Sequence, residues 1–146
     1  MTLSKFKKFL GYAWAAPVTL LGLLYVTLFW AMGWYNWGGI VDDGMIWEVN
    51  HEKTPSWLKN YWRRWGGHAI GNVVVLKQSI MDSRETLTHE LRHVEQVMRL
   101  GVFQPIIYGI NLVAMRIGCP GTHPYYYNPF EVDARRVAGQ KIEVRK

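Results

Sequence analysis

Apolar and polar positions divide this chain unevenly. From Phe9 to Val41 there is no charged residue, and a run of that length is enough for a helix that crosses a bilayer. Pro17 sits near its start, where a helix tolerates proline best, and Trp30, Trp34, Tyr35 and Trp37 gather at its far end like an interfacial belt. Between Ile40 and Val49 the Asp43-Gly44 step separates two apolar stretches and predicts a hairpin, the glycine taking the positive φ of the turn. Over Pro55 to Trp65, Trp57, Leu58, Tyr61, Trp62 and Trp65 recur at helical spacing opposite Lys59, Arg63 and Arg64. That pattern suits an amphipathic helix on a core or on a headgroup surface. Gly66-Gly67 ends it, and the β-branched run from His68 to Leu76 predicts a strand.

The next helix is well punctuated. Asp82 and Glu85 have capping-box spacing, and Gly101 stands where a C-terminal glycine cap belongs, which predicts a helix from Ser83 to Leu100. Arg84, Glu85, Arg92, Glu95 and Arg99 fall within one sector of roughly 100° that should face water. Leu87, Leu91, Val94 and Met98 lie on another face, and His89 and His93 share the inward-turned flank with Gln96 and Leu100. Phe103 to Ile117 is too short for a span and reads as a buried or interfacial helix. Asn128 as N-cap and Pro129 in the first turn open a last helix. The fold class expected is α+β: a membrane helix and basic stretch over 1–38, then a domain over 39–146 with two or three strands and the helices.

Charge and composition refine this picture. Lys and Arg outnumber Asp and Glu by 17 to 11, but the basic residues form no dense block, so a nucleic-acid partner is not expected. Eight Trp and eight Tyr favour a lipid bilayer, where rings with one apolar and one wet end concentrate. Lys5, Lys7 and Lys8 precede the apolar run and Asp42, Asp43 and Glu48 follow it. The positive-inside rule then places the N-terminus in the cytoplasm and the C-terminal domain on the outer side of the cytoplasmic membrane. The single Cys119 cannot form an intramolecular disulfide.

Candidate chemistry lies on the punctuated helix. Residues 88–96 read T-H-E-L-R-H-V-E-Q, with H-E-x-x-H at His89, Glu90 and His93. Residues four apart project from one helix face, so two imidazole nitrogens can take adjacent corners of a tetrahedral Zn2+ site. Glu90, one residue on, is the expected general base toward a zinc-bound water. His68 is expected to be a strand residue and not a ligand.

These residues resemble the gluzincins, the zincin group that includes thermolysin-like peptidases, in which a Glu on a later helix completes the zinc site. The resemblance covers the His helix and the helix opened by Asn128 and Pro129, and it implies Glu131 as third ligand. Asp133 competes for that role from a position roughly 200° around the helix, and Asn128 and Glu131 are also spaced as a capping box. Ala134 is small enough for the two helices to approach closely. Gln96 is placed to hydrogen-bond a ligand. The resemblance also implies a His or Tyr for the oxyanion, with His123, Tyr125, Tyr126 and Tyr127 available. The expected function is a membrane-anchored zinc metallopeptidase acting on a peptide or protein substrate. The alternative is a catalytically silent zincin-like accessory or structural subunit of a larger membrane assembly.

Overall fold

The computed structural model describes residues 3–119, 121 and 123–142. Among them the chain forms α1 (Leu3–Ala31), β1 (Tyr35–Val41), β2 (Gly44–Val49), α2 (Ser56–Arg64), β3 (Gly67–Ile70), β4 (Val73–Leu76), α3 (Arg84–Leu100), α4 (Phe103–Gly118), α5 (Pro124–Tyr127) and α6 (Pro129–Ala138). The class is α+β, with a four-stranded mixed sheet in the order β1-β2-β4-β3. β1 and β2 pair antiparallel, β2 and β4 parallel, and β3 and β4 antiparallel.

The sheet has more strands than the sequence reading expected. The single strand over 68–76 is two, because Gly71 at φ +63° and Asn72 make a tight turn in the middle of it. Asn72 is held there from outside: its side chain donates to the Asp43 carbonyl at 2.9 Å and accepts from Thr19 Oγ1 at 2.9 Å. Val73, Val74, Val75 and Leu76 are all buried, as befits a central strand covered on both faces. In the first hairpin the positive φ falls on Asp42, at +50°, and Gly44 instead opens β2 opposite Val41. Gly44 is needed for space, since a Cβ there would lie 2.7 Å from Leu91 Cδ2 of α3.

Helix α1 packs along the body of the molecule by one narrow stripe. Ala15, Val18 and Val26 are buried on it, with Gly11 against Met98 of α3 and Gly22 against the carbonyl of Ile70. Val26, Tyr35, Leu58, Trp62, Val73 and Val75 form one core cluster, and Ile46, Val74, Leu76, Leu87 and Val94 form another between sheet and α3. Full burial of such side chains contributes about 1.5–3 kcal/mol each. Tyr35, expected at an interfacial belt, is in this core. α1 is long and apolar enough to cross a membrane. Yet β1 returns along it, so that Asp43 Oδ1 lies 2.6 Å from Lys8 Nζ and accepts from Tyr12 at the helix's opposite end.

Helix α3 begins without its expected capping box. Ser83 is the N-cap and makes no side-chain cap bond, while Asp82 accepts from Ser79 Oγ at 2.9 Å. Its C-terminus is as expected, with Gly101 at φ +57° donating to the Val97 carbonyl. α4 turns its polar Gln104 inward and leaves Phe103, Ile106, Ile110, Val113 and Ile117 exposed, so it is not the buried helix its composition allowed.

Candidate metal centre

The site is assembled by two helices that cross closely. His89 and His93, four residues apart on α3, project from one face. On α6, Asn128 Oδ1 accepts from the Phe130 amide at 3.1 Å and Asn128 Nδ2 donates to the Tyr108 carbonyl at 3.2 Å, fixing where that helix starts. Ala134, fully buried, lets α6 lie against α3. Glu131 is thereby delivered to the imidazoles. Its carboxylate does not reach back to its own N-cap: Oε2 lies 3.2 Å from His89 Nε2 and Oε1 lies 3.3 Å from His93 Nε2. The two Nε2 atoms are 3.2 Å apart.

These separations fit a tetrahedral ion. Ligand bonds of about 2.0–2.1 Å put the corners of a tetrahedron about 3.3–3.4 Å apart, and the three donor atoms stand at 3.2, 3.2 and 3.3 Å. The triad His89, His93 and Glu131 is buried throughout. Glu131 Oε2 and His89 Nδ1 are buried with no hydrogen-bond partner among the described residues, and an orphaned carboxylate oxygen facing two imidazoles is what a cation would satisfy.

Surrounding groups fix the tautomer. Gln96 Nε2 donates to the Phe130 carbonyl at 3.1 Å and to Asp133 Oδ2 at 2.9 Å, so its Oε1 faces His93 Nδ1 at 2.8 Å as an acceptor. The proton of neutral His93 then sits on Nδ1, and Nε2 turns its lone pair toward His89 and Glu131. Tyr108 donates to Glu131 Oε1 at 2.8 Å. Asp133 stays outside the cluster, with Arg92 Nε at 2.7 Å.

The triad's electrostatics follow from burial and mutual proximity. Burial opposes ionisation of Glu131, but the two imidazoles beside it and the Tyr108 hydroxyl outweigh it and hold the carboxyl well below its usual range. Burial lowers His93, and the Glu131 bond with the charge of Glu90 more than reverses this, leaving it raised. Glu90 is buried beside the triad, and desolvation pushes its carboxyl up to about 7, against the pull of His93 and His89. Burial and the Glu131 charge raise Tyr108 and Tyr125, keeping both hydroxyls protonated.

A cavity of about 340 Å³ opens beside the triad. Glu90, His68, Tyr108 and Tyr125 share its wall with all three candidate ligands, and Gly67 and Ala69 of β3 form another side. The chain matches no protein-family model, no curated protein and no solved structure.

Of the residues singled out in the sequence, His89, Glu90, His93 and Glu131 come together on one cavity wall, with Gln96 directly behind His93. His123 is exposed against the rings of Tyr125 and Tyr126, and neither it nor Tyr127 is among the residues lining the cavity. Tyr125 is the member of that loop that does line it. Two lining residues escaped sequence reasoning as site groups. Tyr108 follows Gln104 by four on a mostly apolar helix, a polar pair that marks the inward face. His68 lies on β3 as expected but stacks on Trp62, shares a hydrogen bond with the Tyr61 hydroxyl through Nδ1 at 2.9 Å, and has a buried Nε2 with no hydrogen-bond partner among the described residues.

Proposed function

We propose that this chain is a membrane-associated, zinc-dependent metallopeptidase in which His89, His93 and Glu131 hold the ion and Glu90 is the general base. The observation that carries this reading is the near-equal spacing of three buried donor atoms, 3.2 to 3.3 Å, from residues on two helices. Zinc is the fit for a two-imidazole, one-carboxylate set, and when bound it supplies Lewis acidity toward a carbonyl oxygen and toward water.

The chain's own residues account for the remaining requirements. Glu90, with its carboxyl near 7 before any cation contributes, is poised to take a proton from water and return it to a leaving amine. Tyr108 and Tyr125 stay neutral; Tyr108 gives its one proton to Glu131, and Tyr125 presents a hydroxyl to the cavity that can donate to a developing oxyanion. β3 is an edge of the sheet, paired only with β4, and Gly67 and Ala69 turn its outer side to the cavity. An unpaired strand edge beside a hydrolytic centre suits an extended peptide, whose own amides satisfy that edge. The open cavity favours catalysis over a purely structural ion, which would be closed by a fourth protein ligand.

Glu90→Gln is the deciding variant. Metal analysis of the purified protein should find one zinc per chain in both forms, while hydrolysis of a peptide library falls about a hundredfold or more in the variant. Equal cleavage by Glu90→Gln, or a purified wild type that holds no zinc, overturns the reading.

A further inference from the structure

We propose that the outward faces of α1 and α4 form one docking surface for an anionic lipid bilayer, on which α1 lies in the membrane plane, with both of its ends on the same side. The proposal deepens the membrane part of the function above and does not depend on its chemistry.

The first support is the course of the chain. A helix that crosses a bilayer separates the charges at its two ends, yet Asp43, which follows α1 in sequence, is bonded to Lys8 at the helix's start. The return between them runs through β1, which is paired with β2 in the sheet. The second is what else lies beside α1. α3 crosses it at Gly11, Ala15 and Val18, and α3 carries Glu95 and Arg99, both exposed, next to that crossing. In a spanning orientation that crossing lies within the hydrocarbon and takes those charges with it, which lipid disfavours. Nor could an unpaired edge of the sheet face lipid. Only the outward side of α1 remains for contact with acyl chains, and one available face makes an in-plane helix.

That outward side is aliphatic along its middle, with Leu20, Leu21, Leu24 and Leu28 exposed by half or more. A helix apolar all round is explained when the sheet covers one face and hydrocarbon the other. The surface continues onto α4. Trp14 lies 6.0 Å from Phe103, and Gly101 in the turn before α4 sits against Trp14 so tightly that a Cβ would come within 2.7 Å of it. From that junction α4 exposes Phe103, Ile106, Ile110, Val113 and Ile117, a row of large apolar side chains of the kind that marks an interaction surface. Charge chooses lipid as the occupant. Exposed Lys5 and Lys7 flank the face on α1 and exposed Arg116 ends it on α4, within a chain of net charge +6. Basic flanks around an apolar face match the headgroups of anionic lipid.

Two experiments test this. In a Cys119→Ser background, Lys5→Cys and Glu52→Cys put single thiols at exposed positions near opposite ends of α1. A membrane-impermeant maleimide should label both from the same face of sealed membrane vesicles, and labelling from opposite faces establishes a crossing helix and overturns the proposal. Purified full-length protein should co-sediment with phosphatidylglycerol-containing vesicles. Leu24→Glu and Ile110→Glu, at side chains 72% and 61% exposed, should each weaken that binding about tenfold or more while zinc content stays at the wild-type level. Unchanged vesicle binding by both overturns the proposal. So does a wild type that ignores vesicles but self-associates through these positions, which would identify a second copy as the occupant. A zinc-loaded protein indifferent to vesicles refutes the docking surface and leaves the metal centre standing.

Discussion

Two imidazole nitrogens 3.2 Å apart, both facing a carboxylate, define the site at the scale of single residues. Tyr108, Tyr125 and His68 beside the cavity are arranged to stay neutral, and His68 shows how. Its Nδ1 shares a hydrogen bond with the Tyr61 hydroxyl, and burial holds the imidazole down at about 4 from an ordinary 6.5. Between those two values the unfolded chain takes up a proton that the folded protein refuses. His68 therefore costs stability as pH falls through that window, and the loss is complete below about 4. His68→Phe retains an aromatic ring over Trp62 and removes the titration. Thermal unfolding followed from pH 6.5 down to 4 should show a smaller loss of stability in the variant, the difference being on the order of 1 kcal/mol or more. Parallel curves for the two proteins would mean that His68 is protonated without difficulty in the fold.

At the scale of elements, the glycines that matter are those where α1 meets the sheet and α3. Gly71 and Gly139 have similar backbone angles, φ +63° and +72°, but different surroundings. A Cβ at Gly71 would stand 2.4 Å from the backbone of Thr19 in α1, whereas one at Gly139 meets nothing within 4 Å. Gly139→Ala should cost about 1 kcal/mol for the left-handed conformation alone. Gly71→Ala should cost about 2–4 kcal/mol, because α1 must also move off the β3–β4 turn. Urea denaturation of the two variants separates the contributions, and equal losses would show that the α1 contact is not tight. The same turn marks the limit of what the sequence revealed. The His helix was legible because a strong helical period, a glycine stop and the four-residue His spacing agree, and Glu131 came from the resemblance to the gluzincins, on a helix whose start an N-cap and a proline mark. The Gly71-Asn72 turn was present in the sequence but hidden by the β-branched residues on either side, which read as one strand. The bond between Lys8 and Asp43 had no local signal at all, since it depends on a hairpin folding back along a helix. Read from the sequence alone, the charges on either side of the apolar run suggest the two sides of a membrane.

For the whole molecule, an ion held as proposed would have a mechanical role that follows from where His89, His93 and Glu131 sit. The sheet, α1 and α2 share a core of fully or nearly fully buried residues, among them Val26, Tyr35, Trp62 and Val75. α6 buries little apolar surface by comparison: Glu131, Ala134 and Arg135 are its buried residues. It is held by polar contacts, from Arg92 to Asp133, from Gln96 to Asp133 and the Phe130 carbonyl, and from Tyr108 to Glu131. Removing a cation from this arrangement leaves the Glu131 carboxylate and two imidazoles crowded together in a buried place, where an unbalanced charge is costly. A ligand that binds only the folded state adds about 2.7 kcal/mol at a hundred times its dissociation constant. That gain should be felt first where the attachment depends on it. Hydrogen exchange after treatment with a chelator should therefore show faster exchange over residues 132–138 of α6, while the β4 amides of Val73 to Leu76 keep their protection. Re-addition of zinc should restore α6. If chelation leaves α6 as protected as before, the three side chains do not hold an ion that braces the fold. If β4 loosens equally, the ion is tied to global stability and not to this one attachment.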